Sequence, residues 1–144
     1  MIEVKRLSIE DADLLVEAAE KSSHQIGIPM CIAVTDEAGH LIAFRRMDGG
    51  KVTSISIAID KAFTGAAARK PTHIYNQLCV SGQPTFGIHV TNGGHFSIIG
   101  GGFPVTVDGV VVGGIGISSG TAAEDREVAE AALLVFYVKT GYRP

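Results

Sequence analysis

Three of the five histidines lie in the glycine-rich middle of the chain, where loops are expected: His73, His89 and His95. An imidazole ring can ligate a metal or exchange hydrogen bonds, so these residues are candidates for contacting a ligand at the rim of a pocket. A solvated or hydrogen-bonded role without a ligand is the alternative for each. His24 shares a predicted helix flank with acidic residues, which favours a surface ion pair, and His40 follows a turn glycine and is interpreted as structural.

Two cations and three consecutive glycines are the other candidates for ligand contacts. Lys61 and Arg46 could meet carboxylates, although a lysine on the outer side of a helix is ordinarily a solvated charge. Gly100, Gly101 and Gly102 could offer backbone N–H groups to an anion or let a flat ring approach. A flexible bend before the next strand is the alternative for these glycines.

One segment imitates a catalytic motif. Residues 116–120 read G-x-S-x-G between a predicted strand and helix, as the nucleophile elbow of an α/β-hydrolase would. That fold needs a later histidine, but the last one is His95, so we interpret the segment as a turn. No phosphate-loop or dinucleotide fingerprint is present. The adjacent carboxylates are assigned to a turn or a helix start: Asp36, Glu37, Glu124 and Asp125.

The composition favours one soluble domain over residues 1–144, because a chain of 144 residues can bury about two-thirds of its unfolded surface. Twelve lysines and arginines against 15 acidic residues leave a formal charge of -3, which argues against nucleic-acid binding. With no apolar targeting or spanning segment, we expect a cytoplasmic protein without a membrane partner. Cys31 and Cys79 fit no metal or redox spacing and are expected to be buried free thiols.

A tight hairpin is the strongest structural signal. Asp108-Gly109 separates two β-branched runs, which predicts antiparallel strands over residues 105–107 and 110–117. Side chains alternate along the second strand, so Val112, Gly114, Gly116 and Ser118 share one face, and all of them except Val112 are small. Glycines in a strand indicate that another backbone, a helix or a ligand lies close. Residues 30–36 form a second predicted strand with a small face, so we expect the two strands to be central neighbours beneath one helix.

The remaining elements follow from helix caps, hydrophobic periodicity and turn residues. They give the order α-β-β-α-α-β-β-β-α, which predicts an α+β domain with a five-stranded antiparallel sheet flanked by helices. The further predicted elements are helices at 8–25, 52–70, 72–79 and 121–140 and strands at 40–47 and 96–99.

The helix predicted over 52–70 has two apolar sides. Its predicted core stripe is Val52, Ile55, Ile59, Ala62 and Ala66. The opposite side is not fully polar, and a second covered surface indicates a partner subunit. That side consists of Ile57, Lys61, Thr64 and Ala68.

Three segments together resemble the GlcG/HbpS-like family, which includes the C-terminal domain of the PduO protein. They are residues 32–49, residues 61–72 and the block from Gly102 to Gly120 with Glu124-Asp125. The resemblance covers nearly the whole chain in the right order. It implies a profilin-like or PAS-like fold, assembly into a homo-oligomer such as a dimer or larger ring, and binding of haem or a related tetrapyrrole such as a corrinoid.

The resemblance also suggests roles for the candidate residues. Haem needs an apolar slot, an axial donor and usually a cation for its propionates. His24 or His95 is then the possible axial ligand, and Arg46 and Lys61 are the possible propionate partners. We expect a binding accessory protein linked to glycolate or to diol and glycerol metabolism. The alternatives are a haem-degrading enzyme and a structural or chaperone-like oligomer without a ligand.

Overall fold

A four-stranded antiparallel sheet forms the middle layer of the computed structural model, which describes residues 1–144. Helices α1 and α3 pack on one face of this sheet, and helix α2 packs on the other. The strand order is β2-β1-β4-β3. In chain order the elements are α1 (Ile9–Ile26), β1 (Cys31–Asp36), β2 (Leu41–Arg46), α2 (Ser54–Ala67), β3 (Gly102–Val107), β4 (Val110–Ser118) and α3 (Ala122–Thr140).

The local signals for helix ends and for the hairpin are confirmed. Ser8 and Thr121 cap α1 and α3, each in a capping box with the acidic residue three positions later. Asp108 and Gly109 have φ of 50° and 76°, the positive values that a two-residue hairpin turn requires. None of the helices has the length and apolar character needed to span a membrane.

The predicted pairing of the two small-residue strands is also confirmed. β1 and β4 are central neighbours, with Thr35 opposite Gly114 and Ala33 opposite Gly116. Both glycines face α2 so closely that an added Cβ would overlap the backbone oxygens of this helix. The small side chains therefore let α2 lie almost directly on the sheet.

The other face of the sheet carries the large side chains. The main cluster of 19 buried apolar residues fills the space between this face and the α1 and α3 layer. Val112 belongs to this cluster, although alternation placed it on the small face. The register between β3 and β4 shifts between Val105 and Thr106, and such an irregularity turns a side chain to the opposite face.

The predicted core stripe of α2 is wrong in part. Val52 is exposed, whereas Lys61 and Thr64, which were predicted on the outer side, are buried. The glycine face of β4 accepts only small side chains, so the helix turns its alanine and glycine side toward the sheet. The inward positions include Ala58, Ala62, Gly65 and Ala66.

The predicted fifth strand at residues 96–99 does not form. Side chains hold its backbone instead of a neighbouring strand: Ser97 N donates to Thr64 Oγ1 at 2.8 Å, and Ile99 O accepts from Thr72 Oγ1 at 2.5 Å. The predicted helix at 72–79 is reduced to a single 3-10 turn, Thr72–Tyr75. Residues 68–101 consequently form a long loop with two further short turns, Ile88–Val90 and Asn92–Gly94.

Candidate functional site

His95 and Asp60 form a hydrogen-bonded pair at the surface of the protein. His95 Nδ1 lies 2.8 Å from Asp60 Oδ1. The side chain of His95 is 65% exposed and that of Asp60 is 24% exposed. In a neutral ring, Nδ1–H donates to the carboxylate and Nε2 keeps a free lone pair. The bond to Asp60 therefore fixes the imidazole ring and leaves Nε2 with a lone pair that can bind a metal.

This pair lines an open groove with a volume of about 390 Å³. Ile59 and Phe63, one helical turn apart on α2, supply its apolar wall. A smaller groove of about 110 Å³ shares Phe63 and Asn92 with the first. The other lining residue of the larger groove is Gly39, from the turn between β1 and β2.

A buried hydroxyl fixes the histidine loop against α2. Thr64 Oγ1 donates to the backbone oxygen of Asp60 at 2.8 Å and lies 3.3 Å from the backbone oxygen of His95. It also accepts from Ser97 N. Because Thr64 is fully buried, these bonds join the two members of the pair through the protein interior.

Lys61 and Asp125 form a second pair, inside the protein. Lys61 Nζ donates to Asp125 Oδ2 and to the backbone oxygen of Ile117, both at 2.8 Å. Gly120 N donates to the other carboxylate oxygen at 2.9 Å. Burial lowers the pKa of Lys61 and raises the pKa of Asp125, and the attraction between the two charges opposes both shifts. This ammonium group faces inward and is committed to intramolecular partners.

Two of the three consecutive glycines, Gly101 and Gly102, lie against this internal pair. A Cβ at Gly101 would lie 2.8 Å from Asp125 Cβ and 3.1 Å from Lys61 Nζ. Gly102 packs on the backbone oxygen of Lys61, and its N–H donates to Thr72 Oγ1 at 3.0 Å. Gly101 and Gly102 therefore have no room for a side chain, whereas a Cβ at Gly100 would come within 3.3 Å of the backbone oxygen of Ala122.

His73 lies near this cluster, with its Cβ 3.5 Å from where a Cβ of Gly100 would be. Its ring centroid is 5.7 Å from that of Phe103. Burial lowers the pKa of His73, and the positive charge of Arg126 acts in the same direction. The ring is therefore neutral at pH 7, and its Nδ1 is buried without a hydrogen-bond partner.

The other candidates lie apart from the Asp60–His95 groove. His24 Nε2 is 3.9 Å from Glu20 Oε1 in a separate, mainly polar groove of about 440 Å³. His89 is exposed in the short turn Ile88–Val90, and Arg46 is exposed at the end of β2. His40 N donates to Asp36 Oδ1 within its turn. Cys31 and Cys79 are buried free thiols, as predicted.

Sequence reasoning named His95 as a candidate but did not name Asp60 or Thr64 as candidates, or the partnership of Lys61 with Asp125. A signal for the first two was available. Asp60 and Thr64 are spaced i, i+4 within a predicted helix, where both residue types are unfavourable unless their side chains have partners. No group of three or more His, Cys, Asp or Glu side chains is placed to hold a metal ion.

The fold defines an α+β domain with an antiparallel sheet between layers of helices. The family model described as "Haem degrading protein HbpS-like" matches residues 7–134. The chain belongs to this HbpS-like family, which confirms the resemblance found in the sequence.

Individual relatives agree with this assignment. An uncharacterised 15.0 kDa protein from the dhaT-dhaS intergenic region of Citrobacter freundii is 34% identical, over 93% of this chain and 94% of the relative. The crystal structure of Klebsiella pneumoniae protein ORFY has a TM-score of 0.92 at 30% identity and matches 94% of both chains. The structure described as a PduOC:heme complex has a TM-score of 0.87 at 28% identity, covering 90% of this chain and 94% of that one.

Proposed function

We propose that this protein is a tetrapyrrole-binding accessory module that takes haem or a corrinoid. His95 Nε2 is the ligand to the central metal, and Asp60 holds the ring. The observation that carries the proposal is the 2.8 Å contact between His95 Nδ1 and Asp60 Oδ1. In histidines that ligate metals, the N–H of the second ring nitrogen usually donates a hydrogen bond to a carboxylate, carbonyl or water in this way. The bound group would supply a redox-active or organometallic centre.

The groove offers apolar surface on which a flat ligand could lie. Its volume of about 390 Å³ lies within the usual range for small-molecule sites, and it is open on one side. Phe63 and Ile59 provide apolar surface next to the histidine. One imidazole is enough, because a tetrapyrrole brings four nitrogen ligands of its own. No cation lines the groove, so the carboxylates of a bound haem would point to solvent or to a partner subunit.

A homo-oligomer is the second part of the proposal, supported by an uncharged segment that carries exposed apolar side chains. Residues 71–107 contain no Asp, Glu, Lys or Arg. Phe86 and Val90 in this segment are 68% and 69% exposed. Protein interfaces are depleted in charge and enriched in such apolar residues at their centre. Because Asn92 and His95 belong to the same segment, a second copy on this surface would also cover the groove.

The binding test is a titration of the purified protein with ferric haem, followed by absorbance. We expect a shifted Soret band for the wild type and the loss of histidine ligation in His95→Ala. His24→Ala, His73→Ala and His89→Ala are the matched controls and should keep the wild-type spectrum. An unshifted wild-type band, or a normal spectrum for His95→Ala, would contradict the proposal.

The same titration separates binding from degradation. An accessory module keeps a constant Soret band over hours with a reductant or with peroxide, whereas a haem-degrading enzyme loses it and forms a product. We expect the constant band. The link to glycolate or to diol and glycerol metabolism rests on the family resemblance. If the protein acts in diol and glycerol metabolism, we expect a corrinoid to compete with haem for the groove.

Light scattering tests the oligomer. We expect a defined assembly larger than one chain for the wild type, and a smaller species for Phe86→Asp and Val90→Asp. Val138→Asp is the control, because Val138 is 75% exposed on α3, outside the uncharged segment. A monomeric wild type, or equal weakening by all three changes, would count against the proposed interface.

A further inference from the structure

We propose that Asp60 is a positioning residue that sets the reduction potential of a metal bound at His95, by making the imidazole a stronger electron donor. The inference rests on the proposed function. Its basis is that Asp60 Oδ1 lies 2.8 Å from His95 Nδ1, while Nε2 is the ring nitrogen proposed to bind the metal. A carboxylate in this position does more than orient the ring.

The physical reason is charge transfer through the hydrogen bond. When Nδ1–H donates to an ionised carboxylate, electron density moves into the ring and Nε2 becomes more basic. A more basic ligand stabilises the more highly charged oxidation state of a metal. A haem on His95 would therefore favour the ferric state more strongly than a haem on an imidazole bonded to a neutral acceptor.

The carboxylate is well placed to keep this contact. Asp60 lies within α2, so its backbone is fixed by the helix, and its side chain is 24% exposed. Partial burial leaves the charge less screened than on a free surface. The Thr64 hydroxyl donates to the backbone oxygen of Asp60 and accepts from Ser97 N, two residues after His95, which limits the distance that the pair can open.

The surroundings add no competing partner for the carboxylate. The groove is lined by Gly39, Ile59, Phe63 and Asn92 besides the pair itself. The nearest residue in sequence with a positive charge, Lys61, points to the other side of α2 and bonds to Asp125. His95 is therefore the one hydrogen-bond partner of the Asp60 carboxylate.

The decisive comparison is between the wild type and Asp60→Asn, each loaded with haem. The asparagine oxygen can still accept from Nδ1–H, so the geometry is kept while the charge is removed. We expect the ratio of ferric to ferrous affinity to fall about tenfold, which is a rise of about 59 mV in midpoint potential for a one-electron couple. Asp13→Asn, which removes the same charge from an exposed position on α1, should leave the potential unchanged.

The outcomes separate the inference from the proposed function. If the wild type binds no haem, or binds it without His95, the proposed function fails and the inference fails with it. If the wild type binds haem through His95 but Asp60→Asn has the wild-type potential, only the inference is overturned. An equal rise for Asp13→Asn would also overturn it, since the effect would then reflect net charge.

A measurement without haem gives an independent check. Nitrogen NMR of the neutral His95 ring reports which nitrogen carries the proton. We expect the Nδ1–H form in the wild type and a shift toward the Nε2–H form in Asp60→Ala, which leaves Nδ1 without its acceptor. A wild-type ring protonated at Nε2 would overturn the inference, because Nε2 would then have no lone pair for a metal.

Discussion

Lys61 Nζ lies 2.8 Å from Asp125 Oδ2, and both side chains are almost fully buried, at 1% and 3% exposure. The pair connects α2 to the first turn of α3 across the end of β4. Its remaining hydrogen bonds go to Ile117 O and Gly120 N, so each charged group has more than one partner. Such a pair specifies how the two helical layers meet the sheet.

Removing one member of this pair should destabilise the protein strongly. Lys61→Met leaves a buried carboxylate without its cation, and we expect a loss of about 3–5 kcal/mol in the free energy of unfolding. Adding Asp125→Asn removes that charge, keeps an acceptor for Gly120 N, and should recover part of the loss. Urea unfolding measures both. Lys139→Met, on the exposed side of α3, is the control, and similar losses in Lys61→Met and the control would contradict the expectation.

The contact between β4 and α2 should be intolerant of a single added methyl group. A Cβ at Gly116 would overlap the backbone oxygen of Ala58, so Gly116→Ala must push the helix away. We expect a loss of about 1–3 kcal/mol or more, measured by thermal or urea unfolding. Ser118→Ala, on the same face of the strand, removes an atom instead and should cost much less. Equal stability of Gly116→Ala and the wild type would show that α2 lies farther from the sheet.

Thr64 should hold the histidine loop on α2. Thr64→Val keeps the shape of the side chain but loses the bonds to Ser97 N and to the backbone of Asp60. We expect a loss of about 1–3 kcal/mol, the cost of leaving a buried group unpaired, together with faster amide exchange at Ser97. Thr53→Val is the control, because its side chain makes no capping bond. Unchanged protection of Ser97 would refute this role.

The capping box of α3 should give a defined pH dependence. Thr121 N donates to Glu124 Oε1 at 2.8 Å, and this bond lowers the pKa of Glu124 below its ordinary value of 4.5. A carboxyl group with a lowered pKa stabilises the fold above its unfolded pKa, and that contribution is lost as the pH falls through the folded value. The urea midpoint of Glu124→Gln should therefore lie below that of the wild type at pH 7.

The difference should disappear as the pH falls from 4.5 through the lowered value, because both proteins are then uncharged at this position. Glu127→Gln provides the comparison, since Glu127 is exposed and makes no hydrogen bond within the first turn. A gap between wild type and Glu124→Gln that persisted unchanged at low pH would rule out the ionised carboxylate as its source.

The features predicted correctly from sequence are those that depend on neighbouring residues. The hairpin at Asp108-Gly109 follows from a backbone conformation that few residues adopt, and the caps at Ser8 and Thr121 follow from side chains that reach only three positions along the chain. The faces of β1 and β4 that carry small side chains could also be predicted from the sequence, because strand geometry makes successive side chains point to opposite faces.

The predictions that were wrong depend on which segments pack against each other in the folded chain. Periodicity placed Lys61 on the outer side of α2. In the structure the alanines of this helix pack on the glycines of β4, Lys61 is buried as well, and Asp125 compensates its charge. Residues 96–99 have the composition of a strand, but their backbone groups bond to the side chains of Thr64 and Thr72 instead of to a neighbouring strand.

The sequence by itself determined the two central strands, the capped helices, the family and the candidacy of His95. Only the tertiary structure decided that Asp60, from α2, stands next to that histidine and that Lys61 does not face a ligand. The physical reason is that His95 and Asp60 are 35 positions apart in the sequence. Their hydrogen bond depends on how a loop packs on a helix, which local sequence patterns do not specify.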